Sequence, residues 1–149
     1  MASIAKTSLS GRWKRTALLQ LRPDLLVPIP AERIVVTEDG TRIRLGGRTF
    51  EFIDAPGHAR HHHCPIDLDH REIYSGDNFG ICYREFDTAA GPFMLPTTTP
   101  VHFDPDALCA SVDRLMSYEP QKIYLTHYSE VRDLERLAAV LVTSELADL

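Results

Sequence analysis

Three short segments limit what this chain can fold into: Pro56-Gly57-His58, Ser75-Gly76-Asp77 and Thr126-His127. Each closes a hydrophobic, strand-like run, respectively Phe50–Ala55, Ile73-Tyr74 and Ile123–Leu125. A His, an Asp and a His therefore stand at the ends of successive predicted strands. Each is weak alone, because a loop histidine is usually a surface residue and Gly-Asp is a common turn pair. Together they say more, since loops held by a rigid sheet are where binding and catalytic groups concentrate. Neutral imidazole and carboxylate are also the ligands of catalytic zinc and related metals.

The pattern around these segments is β first and helical last. Ile34-Val35-Val36 reads as a strand and Glu38-Asp39-Gly40 as a turn. Ile43 and Leu45 alternate with Arg42 and Arg44, the period of a half-buried strand. Gly46-Gly47 then turns the chain into Phe50–Ala55, so residues 33–55 read as a meander. Cys64–Leu68 and Glu72–Ser75 read as a further strand pair joined through Asp69-His70-Arg71. Residues 78–103 have no regular period, and a stretch of that length is usually a functional or packing loop. Asp104-Pro105 supplies an N-cap and a proline at the first helical position. Leu108, Val112, Leu115 and Met116 share one face of the helix that follows. Tyr118-Glu119-Pro120 ends it, and Ile123–Thr126 is the next strand. Ser129 is placed to cap a final helix with Val131, Leu134, Leu137, Ala138 and Leu141 on its apolar face.

The length, 149 residues, is that of one domain. Residues 1–32 read as a basic leader or irregular segment and residues 33–149 as the folded part. The beginning carries Lys6, Arg12, Lys14, Arg15 and Arg22 against Asp24 alone. That composition resembles a transit peptide, so a mitochondrial location stands as the alternative to a cytoplasmic one. Trp13, Leu18 and Leu21 mark a short helical stripe that Pro23, Pro28 and Pro30 would end. A net charge of −5 gives nucleic-acid binding no electrostatic support. No apolar run is long enough to cross a bilayer, so no membrane partner is expected. Cys64, Cys82 and Cys109 are odd in number and widely spaced, which disfavours a disulfide framework and favours a reducing compartment.

Ala55-Pro56-Gly57-His58, then Ser75-Gly76-Asp77, then a strand ending in Thr126-His127, resembles the second half of a metallo-β-lactamase-superfamily hydrolase. The resemblance covers roughly residues 33–149. It implies an α/β (α+β) fold, the C-terminal half of an αββα sandwich, with a mostly antiparallel sheet and two C-terminal helices. It implies that His58 is a ligand of a first metal, Asp77 the carboxylate shared by two metals, and His127 a ligand of the second. His62 falls where many members carry a supporting histidine, and His61 beside it is a candidate for the same role. The sequence departs from the family in lacking its His-x-His-x-Asp-His motif, and residues 1–57 contain no histidine.

The function this implies is a metal-dependent hydrolase that uses activated water on an ester, lactone, thioester or related bond of a small-molecule substrate. The metal would be zinc, as one or two ions, with iron or manganese as alternatives. Asp77 would manage the proton of the nucleophile, and Tyr128 would donate to a developing oxyanion. Tyr83, Arg84, Phe86 and Phe93 are the candidate substrate contacts in the long loop. The competing reading is a non-catalytic truncated half-domain. It would need a second copy or a partner chain to cover an exposed sheet face and complete the metal site.

Overall fold

The computed structural model of the protein describes residues 28–127 and 130–146. The chain falls into two units, Met1–Thr37 and Glu38–Leu149. In the first, the described residues form one 3-10 turn, Ala31–Arg33, entered from Pro30. The strand expected at Ile34-Val35-Val36 does not form. Ile34 makes a single bridge, and Val35 and Val36 are exposed. A β-branched run without a buried face has propensity but nothing to pack against. The stripe Trp13, Leu18 and Leu21, and the rest of the basic beginning up to residue 27, lie outside the described residues.

The second unit carries the strands β1 (Thr41–Leu45), β2 (Arg48–Asp54), β3 (His63–Asp67), β4 (Glu72–Gly76), β5 (Ile81–Cys82) and β6 (Met94–Leu95). Helix α1 (Pro105–Met116), strands β7 (Lys122–Leu125) and β8 (Glu130–Val131), and helix α2 (Leu134–Leu146) follow. Among the described residues, six strands form one sheet in the order β1-β2-β3-β4-β7-β8. Every neighbouring pair is antiparallel except β4 and β7, which run parallel. A parallel pair needs a long crossover, and here the crossover holds the β5–β6 arm and α1. The irregular stretch expected over 78–103 is thus partly ordered, with a two-stranded pairing and a 3-10 turn at Arg84–Phe86.

Side-chain alternation places the core on one face of the sheet. Ile66, Ile73, Ile123 and Val131 stand opposite one another across β3, β4, β7 and β8, and Ile53 stands opposite Cys64. Val112 and Leu115 of α1 and Leu134, Leu137 and Leu141 of α2 join this cluster. The Asp104 side chain caps α1 by accepting from the Ala107 N–H, as the sequence implied. The start of the last helix differs from expectation. Val131 is a buried strand residue in β8, the helix begins at Leu134, and Ser129 lies outside the described residues. Val131 meets the core as well from an edge strand as from a helix, so its apolar character could not distinguish the two. Alternation in β2 puts Phe50 and Phe52 on the face opposite Ile53. An aromatic row there runs from Phe50 through Tyr74 to Tyr124, with Arg48 over Phe50 and Lys122 over Tyr124. Among the described residues, no helix is long and apolar enough to cross a membrane.

Ile123 is fully buried in the middle of the core row. Ile123→Ala should lower unfolding free energy in urea by about 2–5 kcal/mol. A loss under about 1 kcal/mol would contradict the packing described for this face.

Candidate metal centre

The three sequence motifs arrive at one place because three separate contacts fix them. The chain leaving β2 turns at Pro56-Gly57, where Gly57 has φ +133° and a Cβ would fall on the backbone of Leu108 in α1. Only glycine lets loop and helix approach this closely. The helix grips the turn in return. The Asp104 N–H donates to the Gly57 carbonyl at 2.8 Å and the Ser111 hydroxyl to the Pro56 carbonyl at 2.5 Å. β4 ends at Gly76, φ +57°, where a Cβ would strike the His62 imidazole. β7 ends beside it, with Gly76 opposite Leu125 and the Thr126 N–H donating to the Gly76 carbonyl at 3.2 Å.

The result is a carboxylate with an imidazole on each of its oxygens. His58 Nε2 lies 3.4 Å from Asp77 Oδ2, and His127 Nε2 lies 3.5 Å from Asp77 Oδ1. His58 is mostly buried and His127 half exposed. Asp77 Oδ1 is buried and accepts no hydrogen bond from any described residue. Leaving a buried carboxylate oxygen unsatisfied is costly, and such an atom calls for an unseen partner such as an ion or water. The two imidazoles approach different oxygens, so the donors line a rim. Among the described residues, no three His, Cys, Asp or Glu side chains close around a single point.

His62 supports this arrangement from below. Its Nε2 accepts the Asp77 N–H at 3.1 Å, so the neutral ring carries its proton on Nδ1. Its ring meets His58 edge to face at 5.9 Å between centroids. Burial, then repulsion from His58, pushes the His62 pKa down to about 4. Cys64 Sγ lies 3.9 Å from His62 Nδ1 and donates to the Ser75 carbonyl. Burial pushes this thiol up to about 12, so Cys64 is no nucleophile near neutral pH. His61, the next residue back, is exposed. Tyr128 lies outside the described residues. In the long loop Tyr83, Phe86 and Phe93 pack edge to face, and Arg84 pairs with Asp87 at 3.1 Å. His70 is bound to the buried Asp67 at 3.0 Å, away from this centre.

Two residues of the centre were not visible in the sequence. Asn78 is fully buried and spans the two loops. Its Oδ1 accepts from the His58 N–H at 3.3 Å and its Nδ2 donates to the Ala55 carbonyl. Thr97 is also buried, and its carbonyl accepts from His58 Nδ1 at 2.9 Å. Asn78 follows the Gly-Asp pair directly, and a polar residue there was the one available hint. Thr97 sits in the Thr97–Thr99 run, which carries no periodic signal.

The family model of the metallo-beta-lactamase superfamily matches residues 4–127. The chain belongs to the metallo-beta-lactamase superfamily. The match begins inside the basic first segment and ends at His127. Solved structures share the fold. An archaeal metallo-beta-lactamase superfamily protein from Sulfolobus tokodaii is 23% identical with a TM-score of 0.66, over 88% of this chain and 46% of its own. A metallo-beta-lactamase family protein from Thermus thermophilus is 17% identical with a TM-score of 0.60, over 76% and 36%. TTHA1623, solved in a di-iron-bound form, is 27% identical with a TM-score of 0.50, over 73% and 47%. The chain thus spans less than half the length of each of these three proteins. No curated protein matches it.

The His62 assignment has a pH signature in the metal-free protein. An unfolded His62 titrates near 6.5 and the folded one near 4. Between these values the unfolded chain binds the proton and the folded chain does not, so falling pH removes stability across that window. The stability advantage of wild type over His62→Gln in urea should therefore shrink as pH falls from about 6.5 to about 4. Parallel curves for the two proteins would contradict a neutral, buried His62.

Proposed function

We propose that this chain carries part of a metal centre of a superfamily hydrolase. His58 would serve one metal position, His127 the other, and Asp77 both. The observation that carries the reading is the Asp77 carboxylate, flanked on each oxygen by an imidazole Nε2 and with Oδ1 buried and accepting no hydrogen bond from any described residue. The donor set of two imidazoles and a carboxylate suits zinc, with iron or manganese as alternatives. One solved relative, TTHA1623, is known in a di-iron-bound form. A bound divalent ion supplies polarisation of a scissile carbonyl or phosphoryl oxygen and lowers the pKa of coordinated water.

The chain's own residues do the rest. His58 is held with its Nδ1–H on the Thr97 carbonyl, which leaves Nε2 as the donor facing the centre. Asp77 is the group proposed to manage the proton of the attacking water. Tyr128, next to His127 in sequence, is proposed to donate to a developing oxyanion. Substrates of this class are esters, lactones, thioesters and related small molecules.

A second reading is a non-catalytic half-domain that gains the remaining ligands from a second copy or a partner chain. Two observations favour it. The sequence lacks the His-x-His-x-Asp-His motif. The described donors also do not close on a single point.

Metal analysis and activity separate the two readings. The hydrolase reading expects near two equivalents of zinc or iron and hydrolysis of a chromogenic ester or lactone, both lost in His58→Ala and Asp77→Ala. Less than about half an equivalent, with no activity after metal addition, favours the half-domain. Activity unchanged in both variants would refute the assignment of the site.

A further inference from the structure

We infer that Thr97 is a positioning residue for this centre, tying the His58 ring and the Asp77 peptide to one loop. Thr97 lies two residues beyond β6 and is 5% exposed. Its carbonyl oxygen stands 2.9 Å from His58 Nδ1. A carbonyl only accepts, so Nδ1 carries the ring proton and Nε2 keeps its lone pair. Nε2 is the atom that faces Asp77 Oδ2. The hydroxyl of the same residue donates to the Asp77 carbonyl.

Asp77 needs this grip on its main chain. No described residue donates to Oδ1, so hydrogen bonds on that oxygen do not aim the carboxylate. The Asp77 peptide is held instead at both ends, its N–H by His62 Nε2 and its C=O by the Thr97 hydroxyl. Thr97 therefore sets one imidazole and one carboxylate with respect to each other, through a single residue that touches neither reacting position. Valine at 97 keeps the branched shape and removes only the hydroxyl. It leaves the part-buried Asp77 carbonyl without its donor, a loss that ordinary packing does not restore.

The inference concerns positioning at the proposed metal centre, and the test separates it from that proposal. Thr97→Val and Thr97→Ser are made in the full chain. Zinc affinity is read by chelator competition. The His58 tautomer is read by nitrogen-15 NMR of the metal-free protein at one neutral pH. Thr97→Val should weaken zinc binding about 10–100-fold, as loss of a supporting hydrogen bond does at metal sites. The His58 ring should keep its Nδ1–H form in both variants, because the Thr97 oxygen that holds it is main chain. Thr97→Ser should stay within about threefold of wild type, well short of the loss expected for valine, and keep the Nδ1–H form. Zinc affinity within about twofold of wild type in Thr97→Val would overturn the inference even if thermal stability fell, because a purely structural role predicts that. Equal losses in valine and serine variants would overturn it too, by pointing to the methyl group. Failure of wild type to bind zinc would sink the metal reading, and the wild-type His58 tautomer would still test Thr97, since a ring protonated on Nε2 would overturn its role.

Discussion

One parallel strand pair governs the rest of this structure. In a sheet that is otherwise antiparallel, β4 and β7 run the same way, so their C-terminal ends lie side by side. That pairing sets Gly76 opposite Leu125 and lets the Thr126 N–H reach the Gly76 carbonyl. Asp77 and His127 are the residues that emerge from those two ends. An antiparallel pairing would send them to opposite edges. The bonding pattern of the ladder, more than any contact between the side chains, is what makes the acid and the imidazole neighbours.

The crossover that a parallel pair requires is used a second time. Its helix, α1, buries Val112 and Leu115 against the sheet. Its first turns press on the Pro56-Gly57 loop, and backbone and hydroxyl hydrogen bonds hold His58 on the side facing Asp77. Its preceding loop delivers Thr97 to both residues. Core packing and site geometry are therefore coupled through one connection. The chemistry around the centre is correspondingly set. A neutral His62 accepts the Asp77 N–H from the interior, and the inert Cys64 thiol lies against that ring.

Much of this was legible in the sequence, and the limits are physical. Strands such as β2 and the hairpin of β3 and β4 announced themselves by apolar runs and turn residues. Helix α1 announced itself by Asp104-Pro105 and its apolar face. The gathering of residues 58, 77 and 127 followed from motifs at strand ends. Ile34–Val36 misled because β-branched propensity is local and a strand needs a buried face. Val131 misled because an apolar residue before a helix serves equally in an edge strand. Asn78 and Thr97 act through main-chain hydrogen bonds across 20 to 39 residues of sequence, and neither periodicity nor composition records such contacts. Gly57 stands at the turn out of β2, and its tightest requirement comes from the helix backbone of Leu108, more than 50 residues away in sequence.

The most direct measurement is a crystal structure of the zinc-soaked protein with diffraction collected across the zinc absorption edge. An anomalous peak within bonding distance of Asp77, about 2.0–2.2 Å for the carboxylate oxygen, and of His58 or His127 Nε2 is the expected result. A map with no peak at Asp77, or with zinc held only elsewhere on the surface, would contradict the claim that these strand ends form a metal centre.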